Sequence, residues 1–398
     1  MRLAVFFHEP PVPALHGGRV DVWRRLKAFS KLGVELALIC WRKPSDSAPH
    51  VIDAELGRYV SRRMVFEQTT GALGAMRRLL RLLAYPWDVT SRILDGRQQR
   101  QLDAFLDDFS PDWVWSESLY CGVTALRAAE ALGKPFAYRS HNIEHTYMRD
   151  QARLLQSSSA RLKAQLSLIH LGATEERLIG ASNIYFDISM DDLCYWRGKG
   201  HGHGMWLPPN VDDSIMDEWD RAVPDSPRVD IAFMGNLSAP NNTDGVRWFL
   251  DDVLPRLRLS KADVSVVIAG SKPTADIRRA ASAASVTLVA NPDSAIAVMK
   301  RARVLINPVR QGSGVNVKSV EMLYSDAELV TTSQGVAGLP EQIKKVFRIG
   351  DSAASFAAHI TEALAHPHAD ADLRNNARGQ FLSGNLSQVI ESLQRVTS

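Results

Sequence analysis

Two glycine segments have the residue types of a phosphate-binding loop. The first, Gly17-Gly18, lies between the apolar run Leu3–Phe7 and an amphipathic stretch that begins at Val20. Backbone N–H groups at a helix N-terminus attract anions, typically phosphate, when no Cβ blocks the approach. A tight turn with positive φ would also require glycine. The pair therefore predicts either a phosphate loop or a turn.

The second glycine segment extends from Gln311 to Glu321 and reads QGSGVNVKSVE. It follows a predicted strand and opens a predicted helix, so its amides can also hold phosphate. Lys318 would add a positive charge, and the Glu321 carboxylate can accept hydrogen bonds from two adjacent ribose hydroxyls. The alternative is a surface ion pair between Lys318 and Glu321, which contributes about 0.3 kcal/mol.

A histidine follows another predicted strand, in the segment Ser140–His145 (SHNIEH). Ligands bind at the carboxyl ends of strands in open α/β sheets, so His141 is a candidate binding residue. A loop histidine with only structural hydrogen bonds is the alternative. Glu144, His145, His201 and His203 are metal-ligand types, but a His-Gly-His beside a linker is typical of a solvated loop. We therefore expect no metal site.

The composition is that of a globular protein with more than one domain. Of the 398 residues, 45% are hydrophobic and 23% are charged, which excludes a disordered or collagen-like chain. The net charge of +3 does not indicate a nucleic-acid partner. No apolar run approaches the ~18 residues of a membrane-spanning helix, and the apolar run before His8 is too short for a signal peptide. Three widely spaced cysteines favour a reducing, cytoplasmic location.

The elements that must position these segments alternate between strands and helices. Leu3–Phe7 and Val34–Trp41 are apolar runs typical of buried parallel strands, with an amphipathic helix between them. Strand, glycine loop, helix and strand form a βαβ unit, which indicates an α/β protein. A long helix is expected from about Thr146 to Ile179. Around His201–Pro227 the composition shifts to Gly, His, Pro and Asp, which predicts a domain boundary before a second α/β series.

Taken together and in order, these segments resemble the family-4 retaining glycosyltransferases of the GT-B fold. The resemblance covers most of the chain and is most specific in Pro308–Leu339, which contains Gly-Ser-Gly-Val, Lys318 and Glu321. The other matching segments are Gly17-Gly18, Arg139–Asn142 (RSHN), Phe186–Asp191 (FDISMD), Pro209–Asp212 (PNVD) and Phe233–Phe249 (FMGNLSAPNNTDGVRWF).

The resemblance implies an α/β fold of the GT-B type, in which two Rossmann-like domains face each other across a cleft. Residues 1–207 would form the acceptor-side domain, residues 208–375 the nucleotide-sugar-binding domain, and residues 376–398 a helix that crosses back to the first domain. The implied donor is a UDP-, GDP- or ADP-sugar, and the implied acceptor is a glycan or a lipid-linked glycan. Such enzymes need no cofactor and usually no metal, because positive groups and helix dipoles neutralise the leaving diphosphate.

The resemblance also implies roles for individual residues. His141 would touch the transferred sugar, the amine of Lys318 would hold the diphosphate, and Glu321 would bind ribose, which makes these three the implied catalytic residues. Further donor contacts would come from Gly17 and Gly18 at the distal phosphate, from the amides of Gly314 and Val315 at the diphosphate, and from Asn236, Arg310, Gly312 and Ser313.

Three positions differ from the common pattern of that family. Many members have an arginine where this chain has Asn236, a lysine where it has Asn242, and a glutamate where it has Ser313. Arg310 or Lys318 would then have to supply part of the missing charge. Two alternatives to an active transferase remain: a catalytically silent GT-B protein that serves as scaffold in a glycan-assembly complex, and another GT-B enzyme such as a sugar-nucleotide epimerase.

An arginine-rich stretch bears on the acceptor and the location. Between Arg58 and Arg81 there are six arginines against one acid, Glu67, and the last three arginines alternate with leucines. A basic amphipathic helix can lie on anionic lipid, with about 1 kcal/mol from each basic group. The alternative is a helix whose leucines face the core and whose arginines are solvated. We therefore expect a cytoplasmic, bacterial-type enzyme of surface polysaccharide or glycolipid synthesis, peripheral at the inner face of the plasma membrane.

Overall fold

The structure is a computed structural model that describes residues 1–14, 17–43, 54–68, 71–154, 157–224, 226–312, 314–366 and 370–397. The contacts within it divide the chain into two compact units. Unit 1 comprises Met1–Asn210 together with Ser383–Ser398, and unit 2 comprises Val211–Leu382. Each unit is built around a parallel sheet that is covered by helices.

The strands of unit 1 are β1 (Arg2–Phe7), β2 (Glu35–Arg42), β3 (Arg62–Glu67), β4 (Trp113–Ser116), β5 (Phe136–Ser140), β6 (Ile184–Asp187) and β7 (Gly204–Trp206). Across the described residues they form one sheet in the order β3-β2-β1-β4-β5-β6-β7, with every pair parallel. The helices are α1 (Gly17–Lys31), α2 (Gly71–Arg81), α3 (Trp87–Thr90), α4 (Gly96–Phe109), α5 (Leu119–Leu132), α6 (Glu144–Leu154), α7 (Ser158–Leu168), α8 (Leu171–Ala181) and α9 (Met190–Gly198).

Unit 2 has strands β8 (Val229–Asn236), β9 (Val266–Ser271), β10 (Thr287–Ala290), β11 (Ala302–Asn307), β12 (Glu328–Thr331) and β13 (Arg348–Ile349), in the parallel order β10-β9-β8-β11-β12-β13. Its helices are α10 (Ile215–Arg221), α11 (Pro240–Trp248), α12 (Leu254–Ser260), α13 (Ala275–Ala283), α14 (Ala295–Lys300), α15 (Val317–Met322), α16 (Glu341–Lys344), α17 (Ala353–Ala365) and α18 (Ala371–Gly379). A π-helical turn (Phe249–Val253) joins α11 to α12, and a 3-10 turn covers Gln334–Val336. The chain ends in α19 (Asn385–Thr397).

Strand β1 shows why the strands of unit 1 are continuous apolar runs. Its side chains point alternately to the two faces of the sheet, and helices cover both faces. Leu3, Val5 and Phe7 belong to one buried cluster, and Ala4 and Phe6 belong to the other. The first cluster also contains apolar residues of α1 and, from the last helix α19, Leu386, Val389 and Leu393. The C-terminal helix is therefore part of the core of unit 1.

The strand order reverses beside the first strand of each unit, between β1 and β4 in unit 1 and between β8 and β11 in unit 2. Connections leave such neighbouring strands in opposite directions, so a crevice opens at their carboxyl ends and is the usual ligand site of this architecture. The histidine segment follows β5, and the glycine segment that contains Lys318 follows β11. The topology therefore places both segments at the carboxyl ends of the strands.

One expectation about local structure is wrong. The long helix expected over residues 146–179 is interrupted, because Ile169 is extended and His170 has a positive φ of 61° before α8 begins. The two units divide between Asn210 and Val211, within the predicted boundary region 201–227, which also contains β7 and α10. The arginine-rich stretch includes the edge strand β3, in which arginines are exposed and Phe66 is buried, and it ends in the helix α2.

We predict that Gly270→Ala destabilises unit 2. A Cβ at this position would lie 1.7 Å from the carbonyl oxygen of Gly235 on the neighbouring strand β8, which cannot move without breaking the sheet. The overpacking should cost about 1–3 kcal/mol or more in the free energy of unfolding, measured by denaturant titration. Gly198→Ala is the control, since no atom lies within 4 Å of its Cβ position. Equal stability of the two variants would contradict the packing described for β8 and β9.

Candidate functional site

The candidate site of unit 2 is centred on the ammonium group of Lys318, at the first turn of α15. Its Nζ donates to the side-chain oxygen of Asn242 (2.7 Å) and lies 3.4 Å from that of Asn307. The same nitrogen sits 4.1 Å from the centre of the Phe233 ring, a cation–π contact. Lys318 as a whole is half-buried, whereas its ammonium end is enclosed. These surroundings argue against a simple surface ion pair with Glu321.

A glycine in β8 makes room for this lysine. A Cβ on Gly235 would lie 3.1 Å from both the Cε and the Nζ of Lys318, and 3.0 Å from the Phe233 ring. Few Cβ atoms in folded proteins have such close neighbours, so a larger residue at position 235 would displace the lysine. The glycine at the end of β8 is thus part of the candidate site.

Burial lowers the pKa of Lys318 to about 7, although the nearby Glu321 acts in the opposite direction. The physical cause is desolvation, because amide oxygens and an aromatic face replace only part of the hydration of an ammonium ion. Glu321 lies one turn further along α15 and is half-buried. An anion bound beside Nζ would restore the missing counter-charge, which is the property expected of a phosphate-binding lysine.

Asn242 explains one of the three departures from the family pattern. The residue is buried on α11, where its amide nitrogen donates to the backbone carbonyl of Asn236 (2.9 Å) while its oxygen accepts from Lys318. Asn236 is exposed, and its side-chain oxygen accepts from the backbone N–H (3.0 Å) and the hydroxyl (2.8 Å) of Ser238. A neutral amide at position 242 thus holds Lys318 without adding a second buried cation.

The other candidate residues for binding the donor substrate lie near Lys318 in the sequence but differ in exposure and backbone conformation. Arg310 is exposed, with its guanidinium carbon 5.3 Å from the centre of the Trp248 ring. Gly312 and Gly314 have positive φ angles of 151° and 68°, and Val315 is half-buried just before α15. Ser313 lies outside the described residues.

In unit 1, the predicted phosphate loop opens α1. Gly17 and Gly18 are the first residues of that helix, and Gly18 is exposed. One turn later, Asp21 faces the interior and is 5% exposed. The glycine pair is therefore attached to a helix whose next turn is anchored by a buried charge.

Asp21 belongs to a buried ion cluster with Arg25, Glu117 and Arg139. The Nη2 of Arg25 donates to Asp21 (2.6 Å), its Nε donates to Glu117 (2.7 Å), and the Nη1 of Arg139 lies 2.8 Å from Asp21. None of the four side chains is more than 5% exposed. Burial opposes ionisation of Asp21, yet Arg139 and Arg25 hold its pKa well below the usual value. Two guanidinium groups and two carboxylates thus balance each other.

His141 lies at the edge of this cluster. Its Nε2 is 2.8 Å from the Nη1 of Arg139 and 3.6 Å from the carboxylate of Asp21, and its side chain is 20% exposed. Burial lowers the pKa of His141 below its ordinary value, with the interaction with Asp21 acting in the opposite direction. The predicted sugar-binding histidine is therefore held in its neutral form by the cluster.

The ion cluster itself was not predicted from the sequence. A signal was available in Asp21 and Arg25, which have the i, i+4 spacing of a helical ion pair directly after the glycine pair. The environment of Glu144 was not predicted either. Burial and the nearby Glu175 raise the pKa of Glu144 to about 7. The Tyr120 hydroxyl donates a hydrogen bond to this carboxyl group (3.2 Å). His145 instead pairs with Glu175 through its Nδ1 (2.6 Å).

The remaining histidines of the sequence analysis are separate from these sites. The Nε2 of His203 lies 3.0 Å from the carbonyl oxygen of Ile179, and the ring of His201 packs near Trp196. Among the described residues, no group of three His, Cys, Asp or Glu side chains has the arrangement of a metal site. In the same part of the chain, no helix is both long and apolar enough to cross a bilayer.

We predict that Lys318 makes the stability of the protein depend on pH. Because its folded-state pKa of about 7 lies below the unfolded value of 10.5, the unfolded chain binds more protons between those values, and stability rises with pH across that window. Lys318→Met should remove this rise, which amounts to at least about 1.4 kcal/mol. Urea unfolding at pH 6.5 and pH 9.5 measures the effect, with the exposed Lys345→Met as control. The same pH dependence in wild type and Lys318→Met would show that the ammonium group is not buried.

Comparison with known proteins establishes the fold. Residues 228–366, within unit 2, match the family described as Glycosyl transferases group 1. A Klebsiella pneumoniae protein described as an uncharacterized 44.6 kDa protein in the cps region is 24% identical over 371 residues, which is 90% of each chain.

Solved structures align along almost the whole chain at low identity. A glycosyltransferase from Rickettsia africae has a TM-score of 0.63 at 10% identity, over 100% of this chain and 98% of its own. HepE from Anabaena in complex with UDP has a TM-score of 0.62 at 11% identity, and the alignment covers 99% of this chain and 100% of HepE. Sucrose-phosphate synthase from Thermosynechococcus elongatus has a TM-score of 0.62 at 14% identity, and the alignment covers 99% of this chain and 98% of the synthase. The predicted GT-B fold of two Rossmann-like α/β domains is confirmed.

Proposed function

We propose that this protein is a glycosyltransferase that moves a sugar, with retention of configuration, from a nucleoside-diphosphate sugar to a glycan or lipid-linked acceptor. The observation that carries the proposal is the enclosed ammonium group of Lys318, which lies in the segment that matches the group 1 glycosyl transferases. A buried cation of low pKa at the carboxyl ends of parallel strands is suited to a ligand that brings negative charge.

The roles of the residues follow from what each can bind. Lys318 and the amides of Gly314 and Val315 would hold the diphosphate and stabilise the negative charge that develops on it as the glycosidic bond breaks. The carboxylate of Glu321 would accept hydrogen bonds from the ribose hydroxyls. These groups act by electrostatics and position, so the proposed transfer needs no metal ion and no cofactor.

The remaining candidates would also contact the donor. In unit 1, His141 would donate a hydrogen bond to the transferred sugar, and Gly17 and Gly18 would offer backbone amides to the distal phosphate. In unit 2, further contacts would come from Asn236, Arg310, Gly312 and Ser313. We assign UDP as the first nucleotide to test, because HepE, a neighbour of the same fold, was crystallised with UDP and with UDP-glucose.

The relative from a cps region points to the pathway. Its description places it in a region of that name, and it covers 90% of this chain at 24% identity. This supports a role of the present protein in bacterial surface polysaccharide synthesis. A cytoplasmic location is part of the same proposal. A second candidate function is a silent GT-B scaffold, which is favoured by the uncharged Asn236 and Asn242 at positions where many family members have cations. The contact between Asn242 and Lys318 favours the active enzyme, because the amide holds the remaining cation in place.

Nucleotide binding separates the two candidates. A ligand that binds only the folded state stabilises it by about 2.7 kcal/mol at a hundredfold excess over Kd. We predict that UDP, GDP or ADP raises the melting temperature by about 2–4 °C without added magnesium. Glu321→Ala should remove most of this shift, whereas the exposed Glu341→Ala should retain it. No shift with any nucleotide or nucleotide sugar, in a folded protein, would favour the scaffold.

We also propose that unit 1 contacts an anionic membrane, but through different side chains than the sequence analysis suggested. The Nη1 of Arg81 donates to the backbone carbonyls of Thr90 (3.0 Å) and Ile93 (2.7 Å), and Arg78 stacks on Trp87. The expected alternative of buried leucines is wrong. The apolar side chains around α2 are the exposed ones: Met76 is 54%, Leu79 58%, Leu80 66% and Leu83 82% exposed.

Three exposed apolar residues on α2, with Leu83 in the turn that follows it, are typical of an interaction surface. Their insertion at the lipid headgroup boundary would bury them, while the exposed Arg77 and other surface cations would face anionic lipid. A lipid-linked acceptor would then be reached at the membrane surface. In this arrangement the leucines make the apolar contact with the lipid, whereas Arg78 and Arg81 hold the loop after α2.

We predict that Leu79→Gln, Leu80→Gln and Leu83→Gln together reduce binding to vesicles of anionic lipid by at least tenfold, which corresponds to about 1.4 kcal/mol. Cosedimentation measures the bound fraction. Leu259→Gln in unit 2 is the control, because that leucine is 90% exposed and does not belong to the α2 segment. Equal binding of the triple variant and the control would remove the proposed membrane surface.

A further inference from the structure

The hydrogen bonds of His141 determine which of its ring nitrogens carries the proton. Arginine nitrogens only donate, and the Nη1 of Arg139 lies 2.8 Å from the Nε2 of His141. The Nε2 must therefore be an acceptor. The alternative, an Nε2–H that donates to Asp21, would have to span 3.6 Å while two donors faced each other at 2.8 Å. The geometry is compatible only with the neutral ring that carries its hydrogen on Nδ1.

The guanidinium of Arg139 is itself fixed from several sides. Its Nη1 lies 2.8 Å from the carboxylate of Asp21, its Nη2 donates to the backbone carbonyl of Leu207 at 3.1 Å, and its side chain is fully buried. Asp21 is in turn fixed by Arg25 and by the backbone N–H of Asn210 (3.1 Å). Arg139 therefore has little freedom to turn away from His141.

The charges that face His141 also favour the neutral ring. They are Asp21 and Arg25 from α1, Glu117 from the loop after β4, and Arg139 from β5. Two positive and two negative charges already balance, so a protonated imidazole would add an uncompensated charge next to Arg139. Within the described residues, no protein atom forms a hydrogen bond with the Nδ1 of His141. This nitrogen is thus available to a ligand.

We propose that Arg139 and Asp21 are positioning residues that lock His141 as the neutral Nδ1–H tautomer, so that Nδ1–H is the hydrogen-bond donor offered to an oxygen atom of the ligand. The tautomer stands on the geometry of unit 1 alone, and only its use toward the transferred sugar rests on the proposed function. Free neutral histidine favours the other tautomer, Nε2–H, so the locked form is a distinctive property. A donor of this kind fits an uncharged sugar hydroxyl, since the ring brings no net charge.

Nitrogen-15 NMR of the full chain, labelled at histidine, tests the tautomer without any substrate. The spectrum of His141→Gln identifies the His141 signals among those of the 11 histidines. We expect the wild-type signals of the Nδ1–H form from pH 8 down to below pH 6. An Nε2–H pattern, or a protonated ring at pH 7, would overturn the proposal.

Two variants separate positioning from simple packing. Arg139→Met removes the donor and the positive charge, so His141 should change to the Nε2–H form that Asp21 can accept, and its pKa should rise. Asp21→Asn keeps Arg139 as the donor and removes a negative charge, so the Nδ1–H form should persist and the pKa should fall. Shifts of the pKa in the same direction would contradict the proposal.

Kinetics then tests the use of the tautomer. Arg139→Met should lower kcat for transfer or donor hydrolysis at least tenfold while the Kd for UDP, whose proposed side-chain contacts Lys318 and Glu321 lie in unit 2, changes less than twofold. An unchanged kcat in a variant whose tautomer has switched would overturn the role of the locked donor. If the wild type neither binds nor hydrolyses any nucleotide sugar, the proposed function fails while the NMR result on the tautomer remains valid.

Discussion

Burying a positive charge is unfavourable unless an anion accompanies it, and the two units of this protein meet this constraint in opposite ways. In unit 1, Arg25 and Arg139 are buried together with two carboxylates at 2.6–2.8 Å. In unit 2, Lys318 is held by amide oxygens and an aromatic ring, and desolvation lowers its pKa to about 7. The charges of the paired cluster balance within unit 1, and the cluster contacts His141. The buried ammonium group of Lys318 lacks a full counter-charge, and a phosphate would supply it.

This difference organises the rest of the candidate site. The balanced cluster connects α1, which begins with the glycine pair, to β5 and to the histidine segment, so Gly17 and His141 are held in one framework. The lysine, in contrast, depends on Gly235 for space and on Asn242 for its closest hydrogen bond. The substitution of Asn242 for the lysine common in the family is therefore not a simple loss of charge, because a second ammonium group there would raise the cost of keeping Lys318 charged.

The parallel strands could be predicted from the sequence because strands covered on both faces read as continuous apolar runs, as in β1 and β2. The edge strand β3 lacks such a run, since its first residues are exposed arginines, and it was missed. The amphipathic pattern around α2 indicated two faces but could not show which one is exposed, because arginine can bond to backbone carbonyls as well as to water. The resemblance to the glycosyltransferase family singled out Lys318 as a candidate phosphate-binding residue. The burial of its ammonium group, however, depends on Asn242 and Phe233, which are distant in sequence.

The ion cluster could not be predicted for a related reason. Charged residues in a sequence usually indicate surface, and Asp21, Glu117 and Arg139 are brought together only by the parallel order of β1, β4 and β5. Their balance of charge is a property of the folded sheet and not of any local motif. The same holds for the tautomer of His141, which follows from the contact of its Nε2 with Arg139.

Proton uptake on nucleotide binding tests the role of Lys318 most directly. Calorimetric titration with UDP at pH 8, in buffers of different ionisation enthalpy, reports the number of protons exchanged under conditions where the nucleotide phosphate is fully ionised. Because the pKa of Lys318 is about 7 before binding and a phosphate should raise it, the wild type should take up close to one proton per UDP. Lys318→Met should bind more weakly and take up none. Tight binding of UDP without proton uptake, or equal proton uptake by Lys318→Met, would contradict the conclusion that Lys318 binds a phosphate of the nucleotide.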